Sequence, residues 1–131
     1  MAAFVVVTPP EAPGSPRLGR RLGIFPGSAT PAVFPAEVPF WVGYGFVPEP
    51  AQPGLEPSEL ATDTRFELEV DGVQVLVEED LVIEDGHALS KRCVAHFPSG
   101  LPAGWHRLGG RWYDGGSLVL TNDRSIEFVE R

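Results

Sequence analysis

Twelve of the fourteen prolines fall in the first 57 residues, and none lies between residues 58 and 97. Proline fixes φ and removes a backbone donor, so central strands and helix interiors exclude it. Residues 8–35 are therefore expected to be extended and partly polyproline-like, and residues 48–57 to form a second linker. Two apolar islands, residues 4–7 and 22–25, break this pattern, each as a short edge strand or an anchor. The expected organisation is an extended Pro-rich N-terminal arm over residues 1–35 and a β domain over residues 36–131.

Between the two linkers the chain alternates. Val38, Phe40, Val42, Tyr44 and Phe46 interleave with Pro39, Trp41, Gly43, Gly45 and Val47, a period of two rich in aromatics. Gly43 and Gly45 on one face imply a close approach by a ring or a backbone. Asp71-Gly72 lies between alternating runs, and a type I′ turn needs positive φ at both of its central positions. A two-residue loop sets Val70 opposite Val73, Leu68 opposite Val75 and Phe66 opposite Val77, all on one face. Arg65 and Glu78 then pair across the other face.

Further downstream, Gly109-Gly110 and Asn122-Asp123 read as the turns of two more hairpins. The first joins residues 105–108 to 111–114, and the second joins 117–121 to 124–129. Residues 81–83 and 92–97 read as short strands, with a short helix as the alternative over 87–96. Strands at this density predict an all-β, antiparallel sandwich or small barrel.

The runs Leu68-Glu69-Val70-Asp71-Gly72-Val73 and Phe97-Pro98-Ser99-Gly100-Leu101-Pro102-Ala103-Gly104-Trp105-His106, followed by a paired last strand, resemble bacterial immunoglobulin-like sandwiches. The resemblance covers roughly residues 36–131 and implies an immunoglobulin-like fold. It carries over no functional residue: a Cys…Trp…Cys pattern is absent, and His106 stands where a corner tyrosine is expected.

A chain of 131 residues, 43% of them hydrophobic, supplies one core without disulfides, since Cys93 is the only cysteine. A net charge of −8 disfavours nucleic acid and anionic lipid as partners. Residues 56–85 carry eleven acids against Arg65 alone, whereas the first thirty carry Arg17, Arg20 and Arg21 against Glu11. Such an arm and such a belt can attract one another within or between subunits. No apolar run approaches the roughly 18 residues of a membrane helix, and residues 1–7 lack a charged signal n-region. The expectation is a soluble protein made in the cytosol.

Chemistry-bearing patterns are sparse. Cys93 and His96, with His87 and His106 nearby, offer metal ligands, but positions 93 and 96 of a strand face opposite ways. Glu78-Glu79-Asp80 with Glu84-Asp85 lacks the loop of a calcium site. No nucleophile elbow, S-x-x-K, H-E-x-x-H or phosphate-cradling glycine loop occurs. Catalytic residues, metal and cofactor are accordingly read as none. In the hairpin register above, Trp105, Arg107 and Trp112 share one face, as a strip for a sugar or protein hot spot or as core indoles beside a snorkelling arginine.

The preferred expectation is a non-enzymatic subunit of a larger homo- or hetero-oligomeric assembly. Its docking arm would use Phe4, Val6, Arg20, Arg21, Ile24 and Phe25, in the manner of virion capsid-decoration or tail components. On that view, removing residues 1–35 leaves a folded domain that no longer assembles. The runner-up is a binding module using the aromatic strip, and the third a metalloprotein or enzyme around Cys93, His96 and His106.

Overall fold

The computed structural model describes residues 4–7, 20–24, 31–48, 64–84 and 87–130. They form ten strands: β1 Phe4–Val7, β2 Arg20–Arg21, β3 Val33–Pro35, β4 Phe40–Pro48, β5 Thr64–Val70, β6 Val73–Val75, β7 Glu78–Glu84, β8 His87–Phe97, β9 Gly104–Asp114 and β10 Ser117–Val129. The first sheet runs β1-β4-β8-β7, with β2 also on β4; the second runs β3-β10-β9-β5-β6. The all-β expectation holds. The purely antiparallel one does not, because β2 pairs with β4 and β3 with β10 in parallel.

Both sheets contribute to one core. From the first come Phe40, Val42, Tyr44, Phe46, Cys93 and Ala95, and from the second Phe66, Leu68, Leu108, Trp112, Ile126 and Phe128. The even-numbered residues of β4 thus point into this core, as its period of two requires, while Trp41 on the other face is buried as well. Tyr44 bridges the layers, its ring 5.1 Å from that of Phe66 and 4.9 Å edge-on from that of Trp112. On the outer face of β4, the close approach expected at Gly43 is made by an indole. A Cβ there would lie 2.5 Å from the Trp41 ring.

The β5–β6 hairpin has the expected register, with Val70 opposite Val73 and Leu68 opposite Val75. Asp71 and Gly72 take φ of 52° and 82°, the positive pair that the turn demands. The pairing stops at Val75, short of the expected Val77 and Glu78. After Val75 the chain crosses to the first sheet, where Glu78 pairs with Val94, so Phe66–Val77 and Arg65–Glu78 do not face each other. This crossing lets Val77 pack against the core. Arg65 instead lies 4.2 Å from the centre of the Tyr113 ring.

The two expected C-terminal hairpins are one. β9 runs unbroken through Gly109-Gly110 and β10 through Asn122-Asp123, and the turn falls at Gly115-Gly116, with φ of 62° and 81°. The glycine at 110 serves packing, since a Cβ there would meet Trp112 at 2.7 Å and Phe66 at 3.2 Å. Residues 87–96 are strand rather than helix, fixed by ladders to β4 and β7 on both sides.

Three pieces of the expected arm belong to the sheets: β1 and β2 pair with β4, and β3 pairs with β10. Residues 20–24 form a strap between the layers. The Leu22 amide donates to the Trp41 carbonyl at 2.9 Å and the Ile24 amide to the Tyr44 hydroxyl at 2.8 Å. Asn122 Nδ2 of the second sheet donates to the Ile24 carbonyl. Leu22 and Ile24 are fully buried, and side chains of this kind contribute about 1.5–3 kcal/mol each. Lys91 adds a second tie between layers: its buried ammonium donates to the Thr64 carbonyl at 2.6 Å and pairs with Glu79 at 3.0 Å.

Candidate functional site

An unbroken β9 keeps its parity along its whole length. Leu108, Gly110 and Trp112 face inward, while Trp105, Arg107, Gly109, Arg111 and Tyr113 face outward. The register places Glu69 of β5 and Asp123 of β10 on either side of Gly109. Gly109 thereby sits in a ring of four charges, with Arg107 and Arg111 along the strand and Glu69 and Asp123 across it.

The ring is ordered by its own pairs. Arg107 meets Asp123 at 3.2 Å and Arg111 meets Glu69 at 2.9 Å. A Cβ at Gly109 would collide with the Asp123 carboxylate, so the missing side chain is what lets the carboxylate close over the strand. With Asp71 and Gly72 the ring lines a cavity of about 360 Å³. Glu69 holds the Arg111 guanidinium above its ordinary range.

Asp71 forms one wall of this groove. Its carboxylate accepts from the Arg107 amide at 2.9 Å and faces His106 Nδ1 at 2.6 Å. The Arg107 amide first, and then His106, hold its carboxyl below the usual range. The second nitrogen of His106 lies 2.8 Å from the Pro102 carbonyl. Both ring nitrogens therefore face acceptors, and only the imidazolium donates to both. Burial alone would lower the His106 pKa, but the bonds to Asp71 and Pro102 outweigh it, and the net direction is upward.

The strip read from the sequence is divided by the same parity. Trp105 is 66% exposed on the outer face beside Arg107, whereas Trp112 is fully buried in the core. The three share a face only if a turn at Gly109-Gly110 reverses the strand, and no turn is there.

Cys93, His96 and His106 are not brought together. Cys93 is in the core, where burial first and Glu79 second push its thiol up to about 12. His96 pairs with Glu78 at 3.2 Å on the first sheet, and His106 belongs to the second. Among the described residues no group of three or more His, Cys, Asp or Glu could hold a metal ion. Glu78, Glu79 and Asp80 each meet a β8 base: His96, Lys91 and Arg92.

Of the expected partner-binding residues, Ile24 is inside the chain's own core and has no side-chain surface left for a partner. Arg20 is exposed, 5.3 Å from the centre of the Phe34 ring. Arg21 is half-buried, 5.7 Å from the Trp41 ring centre, and bonds the Gly43 carbonyl at 3.4 Å. Phe4 and Val6 lie in β1 with side chains outside the described residues, as are Phe25 and the side chain of His87. Sequence reasoning missed Glu69, Asp71, Arg111 and Asp123. The signal was the outward run Trp105-x-Arg107-x-Gly109-x-Arg111-x-Tyr113, which is visible only if residues 105–113 form one strand.

The fold and the groove define an all-β chain of two facing mixed sheets with a charge-ringed concavity on one outer face. Comparison with protein-family models, with curated proteins and with solved structures finds no match. Among the described residues, no helix is long and apolar enough to cross a membrane.

Proposed function

We propose that the protein is a non-enzymatic recognition module that presents the outer face of its second sheet to a ligand. The ordered charge ring around Gly109 carries this reading. Arg107–Asp123 and Arg111–Glu69 pair across adjacent strands on either side of Gly109, whose missing side chain leaves the floor between them open. Groups held in place before binding lose less entropy on binding. Two features weigh against catalysis: a thiol at about 12 is no nucleophile near neutrality, and an imidazole held between two acceptors is poorly placed as a general base. The immunoglobulin-like arrangement is proposed within this architecture, supported by the two facing sheets.

Amide chemical shifts of the full-length chain, titrated with soluble ligands, test the reading. Changes gathered on Gly109, Arg111 and their β10 neighbours support it. Changes confined to the first sheet sink it.

A second reading, a subunit of a larger homo- or hetero-assembly such as a virion, is favoured by a different observation. Among the described residues, residues 117–126 of β10 pair only with β9. Leu118 and Val119 there are 49% and 46% exposed. An open strand edge accepts a strand from another chain. Native mass measurement decides: a monodisperse monomer removes the homo-oligomeric form of this reading.

A further inference from the structure

Resting on the reading that this face is a recognition surface, we propose that its ligand is a neutral carbohydrate, with one sugar ring stacked on the Trp105 indole and the next hydrogen-bonded within the charge ring around Gly109.

The charges narrow the ligand first. Each guanidinium of the ring already has a carboxylate, at 3.2 Å for Arg107 and 2.9 Å for Arg111. A ligand of net negative charge would be opposed by the Glu69 and Asp123 carboxylates beside each guanidinium, and one of net positive charge by Arg107 and Arg111 themselves. A hydroxyl both donates and accepts, whereas a carboxylate only accepts and a guanidinium only donates. Two neighbouring hydroxyls can therefore bridge a carboxylate and the adjacent guanidinium without breaking the pair, through charge-assisted bonds. The cavity of about 360 Å³ lies at the small end of small-ligand sites.

The aromatic residues then give the site a direction. Trp105 and Tyr113 stand at the two ends of the outward row of β9, roughly 26 Å apart for eight residues of strand. Tyr113 is already covered by Arg65, whose guanidinium lies 4.2 Å from its ring centre. Trp105 is 66% exposed, and among the described residues no ring or guanidinium stacks on it. The apolar C–H face of a pyranose covers such an indole, while the sugar's hydroxyl edge reaches two residues on to Arg107. The chain's net charge of −8 independently disfavours polyanions.

The test is titration of the full-length protein, by tryptophan fluorescence and calorimetry, with neutral glucan, xylan, mannan and galactan oligosaccharides and with oligogalacturonate and heparin fragments. Trp41 and Trp112 are buried and serve as background, so Trp105 is the reporter. A saturable change with a neutral oligosaccharide, insensitive to salt, is expected. Trp105→Ala should weaken it by about tenfold or more, Trp105→Phe should largely retain it, and Arg107→Ala should weaken it with little effect on unfolding. Tighter binding of a charged oligosaccharide that falls with salt overturns the proposal, and so does the absence of any neutral sugar acting at Trp105. A ligand of another class that shifts the Gly109 and Arg111 amides would overturn the sugar but leave the recognition surface standing. No ligand of any class acting there would end both.

Discussion

His106 Nδ1 lies 2.6 Å from Asp71 Oδ2, which joins the turn of the β5–β6 hairpin to the start of β9. The pair titrates in opposite senses. The folded pKa of His106 is raised above 6.5, so its contribution is complete below about 6.5 and is lost as pH rises through the folded value. That of Asp71 is lowered below 3.8, so its contribution is present above about 3.8 and is lost as pH falls through the folded value. The pair should contribute most between these limits. Unfolding midpoints measured from pH 3 to 9 should place the difference between the native chain and His106→Gln in that window, shrinking on the alkaline side. A difference that grows above pH 8 would contradict the assignment.

Gly110→Ala should destabilise the fold by about 1–3 kcal/mol, because the added methyl enters space held by the Trp112 and Phe66 rings. Urea unfolding measures this. The same exchange at a true turn glycine, Gly116 at φ of 81° with open space around it, should cost about 1 kcal/mol through backbone strain alone.

At the other turn, Gly72→Val should cost about 1 kcal/mol or more, since a β-branched residue resists a φ of 82°. Gly72→Asn should cost much less, because asparagine tolerates this region. Equal midpoints for the two variants would remove the turn geometry as the cause.

The strap changes what truncation should do. Deleting residues 1–35 removes Leu22, Ile24 and Phe34 from the core, together with β1, β2 and β3. The truncated chain should lose cooperative unfolding. Leu22→Ala or Ile24→Ala should each cost about 2–5 kcal/mol in the full-length chain. Retention of a sharp transition by the truncated protein, followed by near-ultraviolet circular dichroism, would show that the strap is dispensable.

The parts of this fold that were legible in sequence share one property: local chemistry decides them. Asp71-Gly72 fixes its own register through a two-residue turn, and β4 declares its buried face through alternation. Gly109-Gly110 misled because a glycine pair signals either positive φ or close approach, and only the partner strands say which. That ambiguity also concealed the site. Reversing the strand at 109 sets Trp112 beside Trp105 and scatters Arg107 and Arg111, whereas the true strand puts both arginines in one row with Glu69 and Asp123 beside them. The strap carried only half a local signal, the apolar island at residues 22–25. Proline content announced the absence of a long strand, but that Leu22 and Ile24 fill a gap between two sheet edges depends on residues far along the chain.

That distance bears on how the chain is made. Asn122 and Ile24 are 98 residues apart in sequence, and the bond between them closes one flank of the core. During synthesis from the N-terminus, Leu22 and Ile24 emerge first and must wait for β10 before both of their walls exist. Trp41 and Tyr44 of β4 follow soon after, but until β10 exists the strap lacks its bond to the second sheet. The strap is thus made before β10 and is locked in place only once β10 exists.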